Sequence, residues 1–412
     1  MLETARLYRR FEMKPSEFVE SLLGKIRNET LNAYVTVDEE GAMRDALAAD
    51  RALCSGSDTM LTGIPIAVKD NICTKGIRTT CASNMLSDFV PTYDAHVVKR
   101  LKEQGAVIIG KTNLDEFAMG STTTTSNIGP SKNPWDLSKT PGGSSGGSAC
   151  AVAAGLCDGA LGSDTGGSIR QPASFCGITG LKPTYGSVSR FGLVAFASSL
   201  DQIGPMARSA RDVAVLYDAI NGHDPNDATS IKRDYPPTCL DDVDLRGIRI
   251  GVVEEFFAEG LCGDVERAVR YALSMFEEMG AMVVSLNMPH IRYGVAVYYI
   301  IATAEASSNL ARYDGVRYGL RSQDAKELED MYAQTRAQGF GAEVKRRIML
   351  GTYALSAGYY DAYYKKASQV RTLISQDFQQ AFEKCDLIAG PTVPVSAFGI
   401  DEMLDDPLSI YL

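Results

Sequence analysis

Two segments rich in glycine and serine constrain this chain more than any other feature. Residues 141–148 read P-G-G-S-S-G-G-S, residues 164–170 read D-T-G-G-S-I-R, and the run that joins them, 149–162, is mostly small and apolar. A flexible linker would instead be flanked by polar, low-complexity sequence. Glycines that are held in a core usually allow another group to approach the backbone closely. We therefore expect the two segments to form a site.

The first segment admits two interpretations. A phosphate-binding loop needs a lysine and a hydroxyl where its helix begins, and residues 142–148 contain no lysine. Residues 142–146 also match the G-x-S-x-G pattern of a nucleophile elbow, which needs a buried strand leading directly into the serine. The preceding residues, 133–141, have the composition of a loop, which disfavours that interpretation.

A third interpretation places a nucleophile in the second segment, at Ser168. The backbone N–H groups of Thr165, Gly166, Gly167 and Ser168 lie next to one another and are little obstructed by side chains, so they could form an oxyanion hole beside the hydroxyl. Such an arrangement suits acyl transfer. A serine hydroxyl is a poor nucleophile until a neighbouring base accepts its proton.

The sequence offers three histidines and one well-placed lysine as that base. His96, His223 and His290 each lie where surface or capping histidines are common. Lys69 follows the uncharged, strand-like run 63–68, and burial there would lower the pKa of its amine by several units. A lone lysine at a strand end is more often solvated, so the residues alone leave both interpretations of Lys69 open.

Four motifs resemble those of the amidase signature family. They are P-I-A-V-K-D-N at 65–71, the glycine-serine segment at 142–148, D-T-G-G-S-I-R-Q-P-A at 164–173 and C-G-I-T-G-L-K-P-T at 176–184. The resemblance is dense from residue 61 to residue 205, where the motifs agree in order and spacing. The chain is therefore identified as a member of this family.

The resemblance implies a Ser-Ser-Lys triad. Ser168 would be the acylated nucleophile, Ser144 the bridging serine and Lys69 the base. Neutral Lys69 would take the proton of Ser144 while Ser144 takes that of Ser168, and the relay would run backwards to protonate the departing amine. Asp164 and Arg170 would hold the loop in place, although an ordinary local ion pair would explain them equally well.

Composition restricts the class of protein. The chain has 412 residues, of which 45% are hydrophobic and 22% charged, which is typical of a globular protein with an extensive core. Lys plus Arg total 41 against 51 for Asp plus Glu, and this acidic balance argues against broad nucleic-acid binding by the chain itself. The nine cysteines are scattered, so we expect reduced thiols, no metal site and a cytoplasmic location. We also expect no membrane span and no export signal.

Hydrophobic periodicity predicts the α/β class. Strand-like and helical runs alternate, and the resemblance implies the amidase signature fold, a large mixed central β-sheet covered by helices on both faces. We predict a single amidase signature domain, 1–412, made of an N-terminal helical segment (1–55), a catalytic core (56–220), a connector (221–244) and a second α/β and helical portion (245–412) whose C-terminus is missing. The strands of the last portion could extend the first sheet.

The second half resembles one branch of the family, the glutamine-hydrolysing A subunits of tRNA-dependent amidotransferases. The stretches that carry this resemblance are 298–310, 312–319, 343–352 and 358–364. It implies that glutamine is the amide donor and that Tyr298 and Arg347 bind it, because a guanidinium pairs well with an α-carboxylate. On composition alone, the basic triplet 345–347 could equally be a solvated helix face.

The same resemblance implies a larger assembly. A B subunit would use ATP and Mg²⁺ to activate Glu-tRNA(Gln) or Asp-tRNA(Asn), a small C subunit would complete a heterotrimer, and the ammonia would reach the B subunit through an internal passage. The tRNA would be contacted mainly by the B subunit, and this chain itself would need no cofactor. Two alternatives are a stand-alone amidase acting on small amides and a catalytically silent scaffold.

Two departures from the family pattern bear on these expectations. Residues 122–127 read T-T-T-T-S-N where the family usually has Ser-Thr-Glu-Asn/Thr-Ser, near the expected pocket or passage. The chain also stops at Leu412, within a motif that continues in the family and just before the acidic residue expected to bind the glutamine ammonium. We therefore expect a truncated chain that binds glutamine weakly.

Overall fold

The computed structural model describes residues 1–258 and 260–402. The terminal motif at 405–412 lies outside these residues. By its internal contacts the chain forms two compact units, the first made of Met1–Cys239 with Asn309–Arg346 and the second of Leu240–Ser308 with Arg347–Leu412. The boundary at 239–240 falls within the predicted connector. The division of a single domain at residues 55, 220 and 244 stays a prediction.

The first unit is built on a six-stranded sheet of order β1-β3-β2-β4-β6-β5. Strands β2, β3 and β4 run parallel, and β1, β5 and β6 pair antiparallel to their neighbours, so the sheet is mixed. Its strands are β1 (Tyr34–Val37), β2 (Pro65–Lys69), β3 (Val107–Thr112), β4 (Gly159–Asp164), β5 (Thr179–Gly180) and β6 (Gln202–Ala207). Every residue of β2, β3, β4 and β6 is buried, as expected of strands that are covered on both faces.

Helices cover both faces of this sheet because neighbouring strand residues point to opposite sides. Ile66 and Val68 of β2 join one core cluster, whereas Ala67 joins the other. The helices packed on the first face are α1 (Leu2–Arg9), α4 (His96–Glu103) and α7 (Ala210–Ile220). Those on the second face are α2 (Pro15–Arg27), α3 (Glu39–Ser55) and α5 (Gly146–Ala153). The predicted α/β class, with a mixed sheet between helical layers, is confirmed.

Local sequence explains several of these boundaries. Helix α2 begins at Pro15, where a missing N–H costs nothing. Helix α3 begins after Asp38, whose side chain accepts the amide of Gly41, and ends at Gly56 in a left-handed conformation. The remaining helices of this unit are α6 (Arg170–Phe175) and α10 (Leu328–Gly339).

The second unit contains a parallel three-stranded sheet of order β8-β7-β9. Its strands are β7 (Arg249–Val253), β8 (Met282–Leu286) and β9 (Leu387–Ala389), and its helices are α8 (Gly263–Glu278), most of α9 (Gly294–Asn309), most of α11 (Ala342–Leu355) and α12 (Lys366–Lys384). Leu273 of α8 and Ala381 of α12 belong to separate core clusters around β7. The expectation that these strands could extend the first sheet was wrong, since within the described residues they pair as a sheet of their own.

Candidate active site

The candidate site lies at the carboxyl ends of the two central parallel strands, β2 and β4. Their register pairs Ile66 with Gly159 and Val68 with Leu161, so the strand ends come to the same edge of the sheet. Lys69 is the last residue of β2 and Asp164 the last of β4. In open α/β sheets this edge is where ligands usually bind.

The amine of Lys69 is fully buried and surrounded by hydroxyl groups. Its Nζ lies 2.8 Å from Ser144 Oγ, 2.9 Å from Ser145 Oγ and 2.9 Å from Ser163 Oγ, and it donates to the Ser163 carbonyl at 3.2 Å. Burial lowers the pKa of Lys69 from 10.5 to about 7, against the opposing attraction of Asp115, Asp164 and Asp201. A large share of this amine is therefore neutral near pH 7 and can accept a proton.

The hydroxyls around Lys69 are not equivalent. Ser145 Oγ donates to the Ser163 carbonyl at 3.1 Å and accepts the Ser163 amide at 3.3 Å. Since a hydroxyl has one proton, Ser145 faces Lys69 as an acceptor. Ser163 Oγ accepts from Asn71 Nδ2 at 2.9 Å. Among the described residues, Lys69 is the one hydrogen-bond partner of the Ser144 hydroxyl, so the proton of Ser144 can pass to the amine, and the Ser168 hydroxyl is not hydrogen-bonded to Ser144.

The two glycine-serine segments meet directly. The amide of Ser145 donates to the carbonyl of Ser168 at 3.1 Å, which joins the residue after Ser144 to the predicted nucleophile. The peptide bond between Gly143 and Ser144 is cis. Ser144 is fully buried, and Ser168 is 9% exposed, so Ser168 is the more accessible of the two serines.

The predicted oxyanion loop is open where a substrate would need it. Thr165 is buried, Gly166 is exposed and Gly167 is partly exposed. A Cβ added to Gly167 would meet nothing within 4 Å. Across residues 1–258 and 260–402, the amides of Gly166, Gly167 and Ser168 donate to no protein acceptor. These three N–H groups are therefore available to an incoming oxyanion.

Asp164 and Arg170 form a close pair at the downstream end of this loop. Asp164 accepts the amide of Ile169 at 3.0 Å and the Arg170 side chain through Nε at 3.1 Å and Nη2 at 2.9 Å. Burial alone would raise the pKa of Asp164, but the hydrogen bonds and charge of Arg170 outweigh it and hold that pKa below its usual value. The carboxylate thus stays ionised and keeps the loop fixed.

The unusual threonine run supports the first glycine-serine segment. Thr123 Oγ1 donates to the carbonyl of Gly142 at 2.7 Å, and Thr140 Oγ1 donates to the carbonyl of Thr122 at 2.9 Å. Thr125 Oγ1 donates to the buried Asp115 at 3.0 Å. These contacts give the threonines a structural role, and their effect on specificity stays a prediction.

The two residues predicted to bind glutamine belong to the second unit. Tyr298 lies on α9 and is partly buried. Arg347 lies on α11, is only 2% exposed, and has its guanidinium carbon 5.6 Å from the centre of the Tyr299 ring. The alternative that 345–347 is simply a solvated helix face is wrong for Arg347, although it holds for exposed Lys345. The roles of Tyr298 and Arg347 in binding stay predictions.

The sequence did not predict Ser145, Ser163, Asn71 or Asp201 as neighbours of the site. Ser145 could have been suspected from its position next to Ser144. Ser163 and Asp201 could not, because their places depend on the pairing of β4 with β2 and β6, which periodicity does not specify. Among the described residues, no group of three or more His, Cys, Asp or Glu side chains is arranged to hold a metal ion.

The chain belongs to the amidase family, whose model matches residues 17–412. Within that family it is similar to proteins named as the A subunit of glutamyl-tRNA(Gln) amidotransferase. The one from Thermoanaerobacter pseudethanolicus is 55% identical over all of this chain and 85% of the relative. The one from Persephonella marina is 57% identical with the same coverage.

Solved structures of similar proteins agree with this family assignment. The crystal structure of the glutamyl-tRNA(Gln) amidotransferase A subunit from Thermotoga maritima matches 86% of this chain and 73% of its own, with a TM-score of 0.74 and 49% identity. The peptide amidase of Stenotrophomonas maltophilia matches 97% of this chain and 85% of its own, with a TM-score of 0.80 and 29% identity. The predicted family and fold are therefore confirmed.

Proposed function

We propose that this chain is the glutamine-hydrolysing subunit of a tRNA-dependent amidotransferase. The observation that carries the proposal is the buried amine of Lys69 hydrogen-bonded to Ser144, because it supplies a neutral base inside a serine amidase site. The choice of glutamine over other amides is supported by the relatives, which are 55% and 57% identical and are named for glutamyl-tRNA(Gln) amidotransferase.

The proposed reaction is a proton relay through these groups. Lys69 takes the proton of Ser144, Ser144 takes that of Ser168, and Ser168 Oγ bonds to the carboxamide carbon of glutamine. The carbonyl oxygen becomes an oxyanion held by the amides of Gly166, Gly167 and Ser168. The proton returns through Ser144 to the nitrogen, the C–N bond breaks and ammonia leaves. Water then attacks the acyl-enzyme by the same relay, which yields glutamate and restores Ser168.

The wider role involves partners. Ammonia passes to a B subunit, which uses ATP and Mg²⁺ to activate Glu-tRNA(Gln) or Asp-tRNA(Asn), and a small C subunit completes a heterotrimer. The acidic composition, 51 Asp plus Glu against 41 Lys plus Arg, supports a tRNA contact made mainly by the B subunit. The chain acts in the cytoplasm. Among the described residues no helix is long and apolar enough to cross a membrane.

Substitution of Ser168 tests the proposal. We expect Ser168→Ala to lower the turnover of glutamine by a factor on the order of 10⁵ to 10⁶, as for other deleted nucleophiles. The matched control is Ser174→Ala, since Ser174 is an exposed serine of the adjacent helix α6. A serine-directed glutamine analogue should label the wild-type chain and the control but not Ser168→Ala. Unchanged glutamine hydrolysis by Ser168→Ala would refute the proposed nucleophile.

A stand-alone amidase is the second candidate, and its support is the likeness to peptide amidase over 97% of this chain. Ammonia release from glutamine should be compared with release from simple aliphatic amides and from C-terminally amidated peptides. Preference for glutamine supports the role in an amidotransferase. Preference for either of the other amides would favour the stand-alone enzyme while leaving the triad in place.

A further inference from the structure

The loop that contains the free amides is held at both ends by buried carboxylates. At its downstream end, Asp164 accepts the amides of Ile169 at 3.0 Å and Arg170 at 3.4 Å. At its upstream end, Thr165 Oγ1 donates to Asp201 Oδ1 at 2.6 Å. Asp201 is 3% exposed, so this contact is as sheltered as the one made by Asp164.

Asp201 is itself fixed by the backbone around it. Its Oδ2 accepts the amide of Phe196 at 2.9 Å, and its Oδ1 accepts that of Ala197 at 3.1 Å. The residue immediately precedes β6, whose first residue, Gln202, pairs with Asp164 across the antiparallel ladder. The carboxylate that holds Thr165 is therefore anchored to the same sheet that carries Asp164.

We propose that Asp201 is a positioning residue for the amide hydrolysis at Ser168, acting through Thr165 to hold the oxyanion loop in its reactive geometry. This inference rests on the proposed function. The amides of Gly166, Gly167 and Ser168 stabilise an oxyanion only if they already point at its position. Only Gly166, Gly167 and Ser168 lie between Thr165, which Asp201 binds, and Ile169, which Asp164 binds. If Thr165 were released, Asp164 would be the one carboxylate still holding the loop.

The surroundings of Asp201 make this anchor sensitive to pH. Burial raises the pKa of Asp201 to about 6, opposed by hydrogen bonds from Thr165, Ala197 and Phe196 and by the charge of Arg190. Asp201 and Arg190 line a cavity of about 200 Å³, together with Asp227 and Asn226, through which a proton can reach the carboxylate. Asp201 also raises the pKa of Lys69 by its negative charge.

Protonation would weaken the anchor, since a neutral carboxylic acid accepts the three donors less well than a carboxylate does. Two groups must then be deprotonated for full activity, Lys69 with a pKa of about 7 and Asp201 with a pKa of about 6. As the pH falls, activity should decline first with the protonation of Lys69 and then more steeply below pH 6.

The experiment measures kcat and KM for glutamine hydrolysis from pH 5 to 9 in the wild type, Asp201→Asn, Thr165→Val and Thr165→Ser. Asp201→Asn and Thr165→Val should lower kcat by roughly 10- to 100-fold, the effect of small misplacements of catalytic groups, with KM changed less than about threefold. Thr165→Ser keeps the hydroxyl and should restore kcat. Asp201→Asn should also lose the steeper decline of activity below pH 6. The decline that is due to protonation of Lys69 should move to lower pH, because Lys69 loses a nearby negative charge.

The matched control is Asp224→Asn. Asp224 is a buried carboxylate that accepts from Ser189 Oγ at 2.7 Å and from Asn226 N and Nδ2, each at 2.9 Å, and lies 3.2 Å from His96 Nδ1, and within the described part of the chain none of these groups belongs to the oxyanion loop. It should lower thermal stability without changing kcat or the pH profile. If Asp201→Asn fails to fold, the comparison of Thr165→Val with Thr165→Ser decides the question.

Failure of the positioning role can be distinguished from failure of the proposed function. If the wild type hydrolyses glutamine and Ser168→Ala does not, yet Asp201→Asn or the folded Thr165→Val keeps the wild-type kcat and pH profile, the positioning role is overturned and the proposed function stands. If Ser168→Ala hydrolyses glutamine as well as the wild type, the proposed function itself fails and the positioning role fails with it.

Discussion

At the scale of single residues, burial of the Lys69 amine provides a neutral base and also lowers the stability of the folded chain. An unfolded lysine has a pKa of about 10.5, whereas burial lowers that of Lys69 to about 7. Between these values the unfolded chain binds a proton that the folded chain does not. Stability therefore falls as the pH decreases from about 10.5 to about 7, and this loss is complete below about 7.

Lys69→Met should remove this dependence. We expect the stability of the variant relative to the wild type to increase as the pH is lowered from 10 to 7.5, by up to about 1.4 kcal/mol per pH unit, because methionine has no proton to bind. Denaturant unfolding at several pH values measures it. Parallel stability curves for the two proteins over this range would show that Lys69 is charged in the folded chain. Glutamine hydrolysis should be lost at every pH.

Gly143 shows how little space surrounds the first glycine-serine segment. A Cβ at this position would lie 2.0 Å from Asp115 Oδ2 and 2.7 Å from the amide nitrogen of Thr122. Asp115 is fully buried and its Oδ1 accepts from Thr125 Oγ1 at 3.0 Å, so its carboxyl has little room to move. Glycine is required here by the close approach of other groups.

We expect Gly143→Ala to destabilise the chain by about 3 kcal/mol, as overpacking in a rigid site does. Gly24→Ala is the matched control, because Gly24 lies within helix α2 and a Cβ there would meet nothing within 4 Å. It should stabilise the chain by about 0.5 to 1 kcal/mol, the difference in helix propensity. Thermal unfolding measures the stability change of both variants. Equal changes would show that a Cβ fits at position 143 as well as at position 24.

At the scale of elements, Glu116 binds the backbone just before helix α11, a contact that lies within the first unit. Its carboxylate accepts the amide of Gly341, one residue before the helix, at 2.9 Å, and the hydroxyl of Ser83 at 2.5 Å. A negative charge at a helix N-terminus is favourable. Burial nevertheless raises the pKa of Glu116 from 4.5 to about 7, so near neutrality the group is poised between its two forms.

Glu116→Gln tests this contact. Between about pH 4.5 and 7 the folded wild type binds a proton at Glu116 that the unfolded chain does not, so wild-type stability declines as the pH rises through this window. Glutamine mimics the protonated form. We therefore expect the stability of the variant relative to the wild type to improve from pH 5 to pH 7, by up to about 1.4 kcal/mol per unit. A pH-independent difference would contradict the raised pKa.

The sequence predicted elements better than their assembly. Strand β2 follows from the local apolar run at 63–68, and this run and the observed strand, Pro65–Lys69, differ by one or two residues at each end. The contacts of Ser163, Asp201 and Glu116 join positions that are far apart in the chain, and no local pattern reports them. The separate sheet of the second unit was missed for the same reason, since strand pairing is a long-range property.

At the scale of the whole molecule, the most notable connection is the exposed segment 232–244, which lies between helix α7 and strand β7. Residues 232–244 contain no helix or strand, and most of them are exposed. Lys232 and Arg233 lie in this stretch as adjacent exposed trypsin targets. Exposed irregular segments are preferred sites of proteolytic cleavage.

Limited digestion with trypsin should therefore cut first after Lys232 or Arg233 and give two large fragments. A chain carrying both Lys232→Gln and Arg233→Gln should lose this early cut, while Arg6→Gln, which removes an exposed arginine on helix α1, should leave it unchanged. Mass spectrometry of early time points identifies the site. A first cut inside either sheet would contradict the expectation that this exposed segment is cleaved before the folded elements.

The location of the candidate groups has an evolutionary consequence. Lys69, Ser144, Ser168 and both carboxylate anchors all come from the first unit, whereas Tyr298 and Arg347 come from the second. Under the proposed function and the predicted roles of Tyr298 and Arg347, a lineage built on this plan would change its nitrogen donor through mutations in the second unit, while the groups that break the bond are inherited unchanged in the first.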